Sequence, residues 1–389
     1  MKVALVCDWF RPRVGGIELH LHDLAARLIA ANHDVVVITP TPGPDVDDGV
    51  RTVRIAGRLA PHFRFLMAPA GIRAIGRALA REHVDVAHCH VSIVSPAALG
   101  GAAEAQRQGV PTVLTFHSVV PQMRVLAAAA RVALRTDRWT ACFTAVSHRV
   151  ARDVQPMAGR APIRVLPNGV DVEFWRGASA WELTPGARRL ANAQTEQSRD
   201  LELISVLRLN AKKRPLALIG VMQRVVRSHP GRRIRLTVVG DGPERAALDR
   251  RIRQHGLSDH IVRLGARSRA EIRDLLFASD VFVLPAVRES FGLAALEARC
   301  AGLPVVAMRS SGVSEIVEHD REGLLAESDA ELADHIIALA RDDGRRCRLA
   351  AHNRDNPPPV DWPIVIDQHL AIYRDAIALR ESARDPNAR

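Results

Sequence analysis

Lysine is almost missing from this chain. Of its 54 basic residues only Lys2, Lys212 and Lys213 are lysine, and the rest are arginine. Two of the three stand side by side, which marks a place where a compact point charge is kept in a chain that otherwise uses the planar guanidinium. Aromatic residues are scarce as well, at 4% with one tyrosine. None form an interleaved basic–aromatic platform for base stacking, so nucleic acid is set aside as a partner. The five cysteines (Cys7, Cys89, Cys142, Cys300 and Cys347) are far apart and form no Cys-x-x-Cys pair, so neither a disulfide framework nor a zinc site is indicated. Long apolar runs are missing too: Val3 to Cys7 is cut short by Asp8, and nothing approaches the ~20 residues of a membrane span. The expected location is the cytoplasm, free or peripheral on the inner face of the plasma membrane. The dinucleotide fingerprint Gly-x-Gly-x-x-Gly is also absent, which disfavours a plain dehydrogenase.

What is present is enough for two ordinary domains: 389 residues, 47% hydrophobic, with a net charge of +11 that favours anionic partners. Lys2 to Cys7 reads as a strand, Ile17 to Ala31 as a helix and Val35 to Thr39 as the next strand, a βαβ opening. Strands follow at Val84–His88, Pro111–Thr115, Cys142–Val146 and Ile163–Leu166. A second series runs through Leu201–Val206, Ile234–Val239, Ile261–Leu264, Val281–Leu284 and Pro304–Ala307. The fold class is therefore α/β, with two doubly wound parallel sheets. The boundaries expected are 1–170, a linker or insertion over 171–200 that is poorest in apolar periodicity from Gly177 to Arg199, and 201–360. A final helix over 362–380 carries Ile366, Leu370, Tyr373 and Ile377 on one side.

Glu289 and Glu297, with seven residues between them, straddle the point where the strand ending at Leu284 and Pro285 gives way to a helix. A helix N-terminus over Gly292, Leu293 and Ala294 offers unpaired N–H groups and partial positive charge to a phosphate, while the carboxylates accept hydrogen bonds from sugar hydroxyls. The plainer reading is a loop acid followed by a solvated helix acid. Arg208 and Lys213 follow the first strand of the second series, at the sheet edge where open parallel sheets bind ligands, and suit a diphosphate clamp. Gly15 and Gly16 stand before the first helix and let backbone N–H groups approach a phosphate, although turn glycines are as common. His88 and His90 alternate around Cys89 and share a strand face, a weak metal-site pattern without a third ligand.

These motifs, together with Gly240–Glu244, Pro167–Asp171 and Ser311–Val317, resemble the family 4 retaining glycosyltransferases of GT-B fold, over Met1 to about Arg380. The resemblance includes mannosyltransferases of the phosphatidylinositol mannosyltransferase type. It implies two Rossmann-like domains with parallel sheets facing across a cleft, the first on the acceptor side with helix 362–380 packed back on it, the second binding the nucleotide sugar. It also implies that Arg208 and Lys213 hold the donor diphosphate with the Gly16 backbone closing over it. Glu289 would bind the transferred sugar, the backbone from Phe291 to Ala294 would meet phosphates and sugar, and Glu297 would accept from the ribose. His117 matches the family's active-site histidine, though a histidine after a strand is commonly a structural hydrogen-bonder. Ser311-Gly312 departs from the paired glycines of many relatives.

The implied reaction moves a hexose of mannose or glucose type from a GDP-, UDP- or ADP-sugar to a hydroxyl acceptor on a lipid, sugar or polyol, with no metal. No Asp-x-Asp stands in a suitable loop, so fixed cations and helix N-termini would take the place of Mg²⁺. A nucleotide-sugar epimerase on the same fold and a non-catalytic anion- or membrane-binding module are the competing readings. The last draws on two arginine sets. Arg124, Arg131, Arg135 and Arg138 fall within roughly 60° if Pro121 to Trp139 is one helix. Arg73, Arg77 and Arg81 repeat every four residues just after Phe63–Met67. Both fit an anionic membrane surface, or else two core helices with solvated arginine faces.

Overall fold

The computed structural model describes residues 1–13, 15–55, 69–92, 95–118, 123–177, 200–231 and 233–384. The segments 178–199 and 63–67, expected as linker and as part of a basic surface, lie outside them. The chain forms two compact units, one of Met1–Gly169 with Trp362–Arg389, the other of Val170–Asp361.

In the first unit the elements run β1 (Lys2–Cys7), α1 (Gly16–Ala30), β2 (Asp34–Thr39), β3 (Val46–Asp47), β4 (Val50–Arg54), α2 (Pro69–Glu82), β5 (Val86–Val91), α3 (Pro96–Gln108), β6 (Thr112–Phe116), α4 (Met123–Leu134), β7 (Ala141–Ala145), α5 (His148–Ala158) and β8 (Ile163–Val165). The sheet order is β3-β4-β2-β1-β5-β6-β7-β8, parallel except for β3 on β4. Helices cover both faces, so β1, β5, β6 and β7 are buried almost end to end, with His88, His90, Thr112, Thr115 and Thr144 buried among apolar residues. The hairpin β3–β4 was not legible in advance, because Val50-Arg51-Thr52-Val53-Arg54 is half-polar at the sheet edge. The helix expected from Pro121 to Trp139 stops at Leu134. Arg135 turns left-handed at φ 54° and a 3₁₀ turn, Thr136–Arg138, follows.

The second unit contains α6 (Val172–Arg176), β9 (Leu201–Val206), α7 (Ala217–Arg227), β10 (Ile234–Val239), α8 (Arg245–Gln254), β11 (Ile261–Gly265), α9 (Arg269–Phe277), β12 (Val281–Leu284), α10 (Leu293–Cys300), β13 (Val305–Met308), β14 (Gly323–Ala326), α11 (Asp329–Arg341) and α12 (Asp343–Asp355). Residues 172–176 are thus helix rather than linker, capped by the Asp171 side chain. The all-parallel sheet has the order β11-β10-β9-β12-β13-β14. The chain reverses direction of growth between β9 and β12, and Val281 and Phe282 register there against Leu203 and Ile204. In open α/β sheets that reversal opens a crevice beyond the carboxyl ends of the two strands.

The last helix, α13 (Trp362–Arg384), returns to the first unit. It runs four residues past the expected end, and Arg380 and Arg384 donate to the carbonyl of Gly109 at the end of α3. Trp362 packs so closely on Gly169 that a Cβ there would stand 2.6 Å from the indole, which only glycine permits. Trp362 and Tyr373 are almost fully buried.

Candidate active site

The β9–β12 crevice brings two of the expected site residues into contact. Arg208, Lys212 and Lys213 follow β9, and Glu289 follows β12, 76 residues on from Lys213, yet the Lys213 ammonium donates to the Glu289 carboxylate. Their side chains are 25% and 14% exposed, so the pair is partly shielded from solvent. Arg208, just past the end of β9, is exposed, and burial lowers the pKa of Lys212. The other Glu289 carboxylate oxygen accepts from the Ser290 N–H at 3.1 Å, and the Glu289 carbonyl accepts from the Gly312 N–H at 2.8 Å. Ser311 meanwhile caps the following 3₁₀ turn through Val313 N and donates to the Met308 carbonyl. The serine that replaces a second glycine here is therefore a turn cap, and the backbone contact to the Glu289 loop is made by Gly312.

Gly292 is the N-cap of α10 at φ 95°, a conformation costly for any other residue, and a Cβ would stand 2.7 Å from Val313 Cγ2. A glycine cap brings no side-chain acceptor of its own, so the first turn of α10, with Leu293 and Ala294, carries no side-chain cap. Phe291 is buried and anchors that turn. Glu297 lies one turn further on, half-buried.

In the first unit Gly15 is the extended N-cap of α1 and Gly16 its first residue. The buried Glu18 carboxylate sits in that first turn, paired with Arg13 at 3.0 Å, so the helix end already holds a negative charge. His117, just past β6, is 5% exposed, and its Nε2 shares a hydrogen bond with His90 Nδ1 at 3.0 Å. It belongs to a buried run of His88, His90, His117 and His369. His88 binds the Tyr373 hydroxyl (2.9 Å) and Thr115 (2.6 Å), which leaves neither of its ring nitrogens for a metal. Burial holds His117 near pKa 3 and His369 near 4, and lowers His88 and His90 well below the ordinary value. His117 is therefore neutral at neutral pH.

With the geometry in place, comparison with known proteins decides the family. The description "Glycosyltransferase Family 4" matches residues 14–174, and "Glycosyl transferases group 1" matches residues 188–356. The chain is a family 4 glycosyltransferase. It is a retaining enzyme that uses a nucleotide-sugar donor, and its two α/β units are those of the GT-B fold. It is 29% identical to a glycogen synthase of Mycobacterium tuberculosis over all of this chain and 97% of the relative. It is 28% identical to a GDP-mannose-dependent alpha-mannosyltransferase of the same species, over 96% of each. Among solved structures, Anabaena HepE in complex with UDP and glucose superposes with a TM-score of 0.74 at 21% identity, over 96% of this chain and 100% of that one.

For this glycosyltransferase the sequence did not reveal the residue that braces the crevice. Arg214 adopts φ 57° and donates to the Pro285 carbonyl (2.9 Å) and to Asp329 (2.7 Å), tying the loop after β9 to the end of β12 and to α11. Nothing in a run of three basic residues distinguishes a strut from a ligand-binding cation. The arginine faces separate clearly. Arg73, Arg77 and Arg81 are exposed on α2 while its apolar face, Ile75, Ala78 and Leu79, is buried, which is an ordinary amphipathic helix. On α4, Met123 and Ala127 are buried while Val125, Leu126 and Val132 are exposed. Among the described residues no helix is long and apolar enough to cross a membrane.

Proposed function

We propose that this enzyme transfers a hexose, of mannose or glucose type, from a nucleoside diphosphate to a hydroxyl acceptor, using fixed cations in place of a divalent metal. The observation that carries the reading is the Lys213–Glu289 contact at the strand reversal of the second unit. As the C1–O bond breaks toward an oxocarbenium-like state, negative charge grows on the leaving diphosphate. Arg208 meets it with a planar fork, Lys213 with a point charge and the α10 N-terminus with N–H dipoles, each fixed donor contributing about 2 to 4 kcal/mol. Lys213 rests on Glu289 before the donor arrives, then passes to the diphosphate, which frees Glu289 to accept from the sugar's hydroxyls. Glu297 is assigned the ribose. His117, neutral and hydrogen-bonded to His90, enters as a hydrogen-bonding group rather than a general acid.

The sugar assignment draws on the relatives: one is GDP-mannose-dependent, others include a D-inositol 3-phosphate glycosyltransferase of Acidothermus cellulolyticus, and HepE is solved with UDP-glucose. The acceptor class proposed is a lipid, sugar or polyol hydroxyl. A calorimetric or thermal-shift panel of UDP, GDP, ADP and their hexose conjugates tests the donor half. At 100-fold excess over Kd a bound nucleotide stabilises by about 2.7 kcal/mol. One nucleotide winning, and losing its effect in Arg208→Ala, supports the reading; no response from folded protein refutes it.

A further inference from the structure

The first unit has a strand reversal of its own, between β1 and β5, and the carboxyl ends of the strands around it mark the ligand edge of that sheet. His90 is the last residue but one of β5. His117 directly follows β6, and its backbone N–H continues the ladder by donating to the Val91 carbonyl at 2.9 Å. The two rings join through His90 Nδ1 and His117 Nε2 at 3.0 Å. His90 is 2% exposed and His117 5%, and neither His90 Nε2 nor His117 Nδ1 has a hydrogen-bond partner among the described residues.

The ring packed against His90 is held in place. Thr144 gives its one hydroxyl proton to the Leu114 carbonyl, so Thr115 donates to Thr144 and accepts from His88 Nε2–H, while His88 Nδ1 accepts from the Tyr373 hydroxyl. His88 is thus fixed at both nitrogens, and its ring centroid stands 3.9 Å from that of His90. Two proton arrangements satisfy the His90–His117 bond, and each leaves one N–H and one lone pair over. They differ in where the N–H lies. If His117 Nε2 donates, the spare N–H is His90 Nε2–H, sealed within β5, and a buried N–H without an acceptor is costly. If His90 Nδ1 donates, the spare N–H is on His117 Nδ1, past the end of β6, where a ligand oxygen can accept it.

We propose that His90 is a positioning residue for sugar transfer: by donating from Nδ1 it fixes His117 as the tautomer with its proton on Nδ1, so that His117 offers an N–H, not a lone pair, to a substrate oxygen. This rests on the reading of His117 as an active-site group. It also bars His117 from acting as a general base on the acceptor hydroxyl, because one nitrogen carries the proton and the other is taken by His90.

The test has a spectroscopic and a kinetic arm. In long-range proton–nitrogen correlation spectra of the full-length enzyme labelled with nitrogen-15 histidine, His117→Gln identifies the signal, and His117 should read as the Nδ1–H form. His90→Leu should shift it toward the Nε2–H form. His90→Asn, whose amide can donate from the place of Nδ1, should keep the wild-type form. Turnover is read as release of nucleoside diphosphate from GDP-mannose or UDP-glucose, whichever the enzyme consumes. His90→Leu should lower kcat about tenfold, the worth of one buried hydrogen bond, with donor KM within about twofold, because the diphosphate cations belong to the second unit. His90→Asn should stay within about threefold of wild type. In a His117→Gln background, His90→Leu should cost less than about twofold more, which a packing role for His90 would not produce. Melting curves show which variants are folded, and the wild-type tautomer decides even if His90→Leu is not. A wild-type His117 with its proton on Nε2, a His90→Leu variant with wild-type kcat, or additive losses in the double variant would each overturn the positioning role. Folded wild type that consumes neither sugar nucleotide would instead overturn the hexose-donor reading, and the tautomer, which needs no turnover, still decides this one.

Discussion

Replacing Glu289 by glutamine removes one charge and keeps the shape, and the proposed exchange of Lys213 between Glu289 and a diphosphate gives opposite signs to its effects on binding and on turnover. At contact and an effective dielectric near 20, the attraction between Lys213 and Glu289 is about 4 kcal/mol, most of it cancelled by desolvation and lost side-chain freedom. A net of about 1 kcal/mol is reasonable for a pair of this exposure. That is the cost a diphosphate meets when it takes Lys213 from Glu289. In Glu289→Gln the cost disappears, so free UDP or GDP, whichever the enzyme uses, should bind about fivefold tighter. Sugar transfer should fall by about 10²- to 10³-fold, because a contact made to the reacting sugar is lost. Lys213→Ala should instead weaken nucleoside diphosphate binding by roughly ten- to a hundredfold, the worth of a hydrogen bond to a charged group. Calorimetric titration of both variants, paired with steady-state transfer assays, reads the two signs directly. If both variants shift diphosphate affinity the same way, or if Glu289→Gln keeps its turnover within about threefold of wild type, the exchange of Lys213 between carboxylate and phosphate is wrong.

The remaining expectations are as direct. Gly292→Ala forces a side chain into φ 95° and against Val313, and should cost about 1–3 kcal/mol, read as a drop in the melting temperature of the second unit. Arg214→Ala and Asp329→Asn both cut the strut behind Lys213. Each should raise the donor KM more than it lowers kcat, and Arg214→Gly, which relieves the left-handed backbone, should be the more stable of the two Arg214 variants in thermal melts. The buried histidines set a pH limit on the first unit. Their folded pKa values lie below the unfolded value near 6.5, so below that pH the unfolded chain binds protons that the native state refuses. Stability should therefore fall from about pH 6.5 toward pH 4, by up to about 1.4 kcal/mol per pH unit for each histidine. Melting curves across that range should be steeper for wild type than for His369→Leu; equal slopes would contradict the assignment. Finally, transfer measured in excess chelator should match transfer in Mg²⁺, and a requirement for the metal would refute the role given to Arg208 and Lys213.

Much of the architecture was legible because strands covered on both faces are largely apolar: Val281–Leu284 and the Val3–Cys7 part of the first strand are unbroken apolar runs. The edge hairpin was not, since Thr52 and Arg54 look like loop residues when only one side of a strand is packed. In the crevice, spacing and the rarity of lysine single out Glu289 and Lys213, which the fold brings into contact. Arg214 was not, because its importance lies in a positive φ and two acceptors 71 and 115 residues away, neither of which a local pattern can register. His117 shows the opposite limit. Its position after a strand suggested an open active-site group, while its burial against His90 depends on side chains from β5 and α13 that only the folded sheet brings together. The arginine arc of residues 124 to 138 assumed one continuous helix, and the left-handed turn at Arg135 breaks it.

The return of α13 to the first unit has a consequence for biosynthesis. A ribosome completes residues 1–169 long before it makes Trp362, so for most of translation the nascent first unit stands open at Gly169 and His88, the places that the indole and the Tyr373 ring later cover. The second unit, contiguous from Val170 to Asp361, has all its strands in hand while the first still waits for its last helix. The half that begins the chain is thus the half that finishes folding, and a stop codon anywhere before codon 362 would leave the N-terminal unit, not the C-terminal one, without its cover.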